Sequence, residues 1–202
     1  MKLTRLAALT PLALVALAAS ASAAPVKYTV DKDHTEVGFV VRHVFSQVHG
    51  RFNDFQGTIV FDDQNPANIS VDATAEAKSV WTNNDHRDAH LRTADFFAVD
   101  SFPTLSFKST KVTPDGKGKY KVAGNLTLRG VTKPVVFDAE FLGAGDFGIG
   151  GHSMGNKAGF TATTVINRKD YGINWNKMLD NGGWMLDDNV TIELNIEGNS
   201  AQ

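Results

Sequence analysis

Apolar side chains recur at every second position through most of this chain. Val37, Phe39 and Val41 alternate with Glu36, Gly38 and Arg42, and Tyr120, Val122, Leu126 and Leu128 alternate with Lys119, Lys121, Asn125 and Thr127. Near the end, Val190, Ile192, Leu194 and Ile196 alternate with Thr191, Glu193, Asn195 and Glu197. A period of two puts one set of side chains on each face of an extended chain, so each segment reads as a strand with one buried face. The pattern predicts eight strands, at 27–45 with a bend near Asp31 to Asp33, 50–62, 67–81, 104–112, 118–129, 132–143, 157–168 and 188–198.

Turn chemistry separates them: Asp62-Asp63-Gln64-Asn65-Pro66, Pro114-Asp115-Gly116-Lys117-Gly118 and Arg129-Gly130. Such short links favour antiparallel neighbours. Residues 83–97 carry no period-two pattern and read as one short helical segment, with Asp88 and Arg92 spaced to pair along it. Residues 143–156 and 170–187 read as long loops. Eight strands with one dry face each can stack as a sandwich or close into an up-and-down barrel. Closure removes both exposed edges, and an eight-stranded barrel is about the size at which the interior either fills with side chains or encloses one small ligand.

The first residues stand apart. Met1 to Arg5 is short and basic, Leu6 to Ala19 is uncharged and apolar, and Ala21-Ser22-Ala23 has the small-x-small form of a signal-peptidase site. Residues 1–23 are therefore expected to be a Sec-type leader, with 24–202 as one mature domain in a bacterial periplasm; nothing in the leader is a twin-arginine motif. The apolar run is shorter than the ~20 residues that span a bilayer, and no later segment matches it, so no transmembrane segment is expected. With 20 Lys and Arg against 22 Asp and Glu, the chain lacks the basic surplus of a nucleic-acid binder. Its cysteine count is zero, which excludes disulfides, thiol catalysis and thiolate metal sites.

Three motifs look catalytic but lack their context. Gly151 to Gly155 matches the G-x-S-x-G elbow, yet a strand pattern follows Ser153 where a helix is needed, and His152 is the last histidine. Gly143 to Gly148 fits G-x-G-x-x-G without a helix behind it, and His86-Arg87-Asp88 lacks the downstream Asn of a kinase loop. His86 and His90 stand four apart on the helical segment and could share a metal ion, though Arg87 occupies the position where a zincin has Glu. That spacing keeps open a second reading, a metal-dependent enzyme acting on a hydrophobic substrate. A filled structural barrel that works through its surface is the third.

Several segments carry a family resemblance. They are Asp33-His34-Thr35 running into Val37-Gly38-Phe39 and His43; Gly50-Arg51-Phe52 with Phe55 and Gly57; Arg87-Asp88-Ala89-His90-Leu91; Asp95-Phe96-Phe97; Phe102 to Thr110; Gly124 to Val135; and Asn167-Arg168 with Tyr171-Gly172. In this order they resemble the YceI-like family of exported proteins, from about Tyr28 to Glu197. The resemblance implies a lipocalin-like eight-stranded antiparallel barrel whose apolar interior holds a polyisoprenoid or similar long-chain amphiphile, with no catalytic residue, metal or cofactor. The chain departs from the pattern at Gly182 to Asp188, where Asp187 replaces a glycine.

The dry faces supply the expected ligand wall: Val37, Phe39, Val41, Phe55 and Phe107, then Phe137, Phe141, Phe160 and Ile166. His43 and Trp184, with Arg51 and Arg92, are the candidates for a head group at the mouth.

Overall fold

A computed structural model describes residues 24–200; the expected leader, 1–23, lies outside them. The strands are β1 (Val26–Val30), β2 (Glu36–His43), β3 (Ser46–Phe52), β4 (Phe55–Phe61), β5 (Ser70–Glu76), β6 (Val80–Trp81), β7 (Thr104–Pro114), β8 (Lys119–Leu128), β9 (Val131–Ile149), β10 (His152–Asn167) and β11 (Leu186–Ser200). One α-helix, α1 (Asp85–Arg92), lies between β6 and β7.

Six of these segments are halves of three bent strands. β1 and β2 both pair with β11, through Tyr28 to Val30 and through Glu36 to His43. β3 continues into β4, so β2 pairs with β3 and β1 with β4, while β5 pairs with β4 and β6 with β3. Counting each bent pair once, the sheet is an eight-stranded antiparallel barrel in which every strand neighbours the next and the last closes on the first.

The three bends lie side by side and hold one another. Asp31 caps the turn at Lys32–His34 by accepting from the Asp33 amide at 3.0 Å, and Lys32 reaches Asp54 in the next strand at 2.8 Å. The Glu76 amide donates to the Asp54 carbonyl at 2.8 Å, and the Asn53 amide to the Ser79 carbonyl at 3.2 Å. Polar residues thus satisfy the backbone groups that each break in the ladder would leave unpaired.

Two expectations need correction. Residues 143–156 are no loop: β9 and β10 run on as a paired ribbon from Gly143↔Gly159 to Ile149↔His152. The ribbon is held by its backbone ladder, so its glycines carry no alternation to read. The helix ends at Arg92, well short of residue 97, and Asp88 and Arg92 do not pair. Asp88 is buried and accepts from the Thr82 amide at 2.9 Å and from its hydroxyl, while Arg92 donates to the carbonyls of Lys78 (2.8 Å) and Val80 (2.9 Å). The helix is thereby tied to the third bent strand, which fixes it over one end of the barrel. The 170–187 stretch is mostly irregular, with a 3-10 turn at Arg168–Tyr171 and an isolated bridge between Met178 and Trp184.

Candidate ligand-binding site

The inward faces of the strands enclose a lumen in two compartments. The inner one, about 200 Å3, is walled by Phe55, Ile59, Phe107, Phe137, Phe141 and Phe160 among others. Its far end is stopped by aromatic rings that touch each other: Phe61 lies 4.3 Å from Phe141 and 5.3 Å from Phe160 between ring centroids, with Tyr28 and Tyr120 edge-on to the group. Burial raises the pKa of both tyrosines, with Asp146 adding to the shift at Tyr28 and Asp63 at Tyr120.

The outer compartment, about 280 Å3, lies between the strands, α1 and the irregular chain after β10. Val41, His43, Ile166, Trp175, Met185 and Leu186 line it, with His86, Arg87, His90 and Leu91 on the helix side. His86, on the helix side of this compartment, is exposed. Buried Arg168 holds the post-β10 chain in place, donating to the carbonyls of Ile173 (2.9 Å), Trp175 (2.7 Å) and Asp187 (2.9 Å) and bridging to Asp188 at 3.2 Å. Burial pulls its pKa down and Asp188 and Asp187 oppose that. Around the opening, Phe45 is 97% exposed, Met178 64% and Trp184 59%. The Val44 amide, in the turn carrying Phe45, donates to the Met185 carbonyl at 2.9 Å and so ties the two rim segments together.

Phe39, Phe52, Leu105 and Ile192 line both compartments and form the neck between them. Two glycines decide how wide the lumen is. A Cβ on Gly50 would stand 2.2 Å from Cζ of Phe39, and one on Gly124 2.4 Å from Cζ of Phe107. Both rings therefore lie against the wall, over a neighbouring strand's bare backbone, instead of standing into the lumen.

The structure brings Val37, Phe39, Phe55, Phe107, Phe137, Phe141 and Phe160 to the inner compartment and Phe39, Val41, His43 and Ile166 to the outer one. Trp184 lines neither; its main chain is bridged to Met178 and its ring stands outside. Arg51 is also outside, 4.5 Å from the Trp81 ring and bonded to Asn53 at 3.0 Å, and Arg92 is spent on the two carbonyls named above. Sequence reading missed Phe52, Leu105 and Ile192 at the neck and Trp175 at the mouth. The first three sit on strands whose alternation includes them, whereas Trp175 lies in irregular chain that has no period to follow.

His90 donates or accepts at Asp95 (2.8 Å), its ring 5.0 Å from Phe96 and 4.9 Å from Trp175. Among the described residues, His86 and His90 gather no third ligand for a shared ion. The group that does converge is Asp31, His34 and Glu197, and Lys157 already bridges it, 2.8 Å from Glu197 and 3.6 Å from Asp31. Ser153 is followed by strand, as is Gly148, so neither glycine motif opens a helix. No helix among the described residues is long and apolar enough to cross a membrane.

Comparison with known proteins places this geometry in company. The YceI-like domain matches the chain over residues 28–198. A UPF0312 protein of Pectobacterium atrosepticum is 43% identical over 169 residues, 83% of this chain and 85% of that one. Among solved structures, the YCEI protein of Campylobacter jejuni is 32% identical with a TM-score of 0.65, covering 85% of this chain and 96% of its own. A polyisoprenoid binding domain from Saccharophagus degradans, implicated in plant cell wall breakdown, shares the fold at 14% identity and a TM-score of 0.61, covering 87% and 99%.

Proposed function

The chain belongs to the YceI-like family, and from that premise we propose that it is a carrier or store for a polyisoprenoid or similar long-chain amphiphile, which it holds without transforming. The observation that carries the reading is a barrel interior walled mostly by apolar side chains, in two compartments that meet at Phe39, Phe52, Leu105 and Ile192. An isoprenoid tail has no polar groups to match, so aromatic and aliphatic walls suffice, with burial worth about 0.8 kcal/mol per CH2 before ordering costs. The Saccharophagus degradans domain of the same fold, described by its polyisoprenoid binding, supports the ligand class. The leader pattern in residues 1–23 supports a periplasmic site of action, where such a lipid would otherwise face water.

Native mass spectrometry of freshly purified protein tests the reading. A bound hydrophobic mass that is lost on delipidation and regained from a polyisoprenoid is the expected result. A protein that is empty as isolated and takes up no amphiphile contradicts it. N-terminal sequencing of the exported form should begin at Ala24, and retention of residues 1–23 would contradict the leader.

A further inference from the structure

The two compartments differ in charge as well as shape. The polar side chains lining the outer one are His43, Thr82, His86, Arg87, His90 and Arg168; none is a carboxylate, and every one can donate a hydrogen bond. Of the acids beside them, Asp88 is engaged by Thr82, Asp95 by His90 and Asp188 by Arg168, and Asp85, next to His86, is exposed and does not line the compartment. Arg87 spends Nε on the Thr82 hydroxyl (2.7 Å) and Nη2 on the Thr82 carbonyl (2.6 Å). Among the described residues, Nη1 of Arg87 and the rings of His43 and His86 have no hydrogen-bond partner. The mouth therefore presents unengaged donors and a guanidinium edge, while the wall behind it, Phe39, Val41, Leu105 and Ile166, is apolar.

We propose that the outer compartment is a head-group site selective for an anionic amphiphile, whose phosphate or carboxylate sits among Arg87, His86 and His43 while its tail passes the neck. The inference rests on the carrier reading and deepens it. A guanidinium presents parallel N–H groups that suit the planar or tetrahedral oxygens of such anions, and a charge-assisted hydrogen bond is roughly twice as strong as a neutral one. At a partly desolvated mouth with no competing carboxylate, that difference becomes selectivity between heads on the same tail.

Tail-matched probes test it: a polyprenyl monophosphate against the polyprenol of equal length, and a long-chain fatty acid against its alcohol, titrated into delipidated full-length protein. The phosphate, the carboxylate or both should bind about tenfold or more tighter than the matching alcohol. An advantage confined to one pair identifies that anion as the head. His86→Glu and Arg87→Gln should each erode the advantage, with circular dichroism and the thermal transition of each delipidated variant checked against the parent to show that the barrel still folds. Equal affinity for anion and alcohol in both pairs, or an advantage that survives both substitutions, overturns the inference and leaves the carrier reading standing. Failure of all four probes to bind overturns the carrier reading itself.

Discussion

The closed and open ends of the barrel are made of different things. The closed end is held by rings in mutual contact, Phe61, Phe141 and Phe160 with Tyr28 and Tyr120, behind which Val112, Val122 and Phe137 are buried. The open end is held by hydrogen bonds: Arg168 to three carbonyls, Arg92 to two, and Asp88 to Thr82. Apolar rings in mutual contact fill the space between them, so they stop the inner compartment while still forming its wall. Long polar side chains can instead pin a helix and a loop at a distance and leave room between them. One barrel thus combines a core that stabilises the fold with a chamber that does not need to be filled for the fold to hold.

The sharpest way to break that contrast is to truncate one ring from each kind of surroundings. Phe61→Ala, in the stopper, should cost about 3–5 kcal/mol of stability in delipidated protein, the usual range for a buried phenylalanine. Phe39→Ala, at the neck, should cost well below that range, because the empty lumen already deprives its ring of partners on one side, and should mainly reduce the stabilisation that added lipid gives. Denaturant titrations with and without lipid separate the two, and equal penalties would erase the distinction.

A smaller effect is expected from Gly50→Ala. The new methyl would push the Phe39 ring off the wall and into the neck, costing about 1–3 kcal/mol and weakening lipid binding. The double variant with Phe39→Ala should recover binding relative to Gly50→Ala alone. If Gly50→Ala binds as the parent does, the ring has somewhere else to go and the neck is not what sets the lumen's width.

The smallest effect concerns the bend beside the closed end. Burial pushes the Asp31 carboxyl upward, but hydrogen bonds from Asn199, His34 and the Asp33 amide outweigh it and hold the pKa at about 2 against an ordinary 3.8. A depressed folded-state value means stability that is present above the ordinary pKa and lost as pH falls through the folded one. Asp31→Asn should therefore be destabilising at neutral pH, with the gap from the parent shrinking between about pH 4 and pH 2. A gap of constant size across that range would show that the charge of Asp31 contributes nothing to the bend.

Much of the barrel was legible because alternation reports burial on one face. The eight strands, their antiparallel order and the bend near Asp31 all follow from it. So does the placement of Phe39, Phe55, Phe137 and Phe160 on the inner wall. The second and third bends, at Asn53-Asp54 and Ala77–Ser79, each move the dry face by one position, from Phe52 to Phe55 and from Ala77 to Val80, a slip too short to interrupt the apolar pattern on either side. The closed and open ends could not be told apart in the sequence, since a phenylalanine that touches other rings and one that faces a cavity occupy the same kind of position. The outer compartment was legible at Val41, His43 and Ile166, whose strand patterns run into it. Trp175 is set by Arg168 reaching back to its carbonyl and Met185 by the Val44 amide from another strand turn, long-range ties that no local pattern encodes.

The central claim is that one apolar tail occupies both compartments through the neck. A series of amphiphiles with a single head group and increasing tail length, titrated into delipidated protein, tests it most directly. Affinity should climb with each added unit while there is wall to meet it and then flatten once the stopper of Phe61, Phe141 and Phe160 is reached. An affinity independent of tail length would mean that the head alone is bound and that the lumen is not the site.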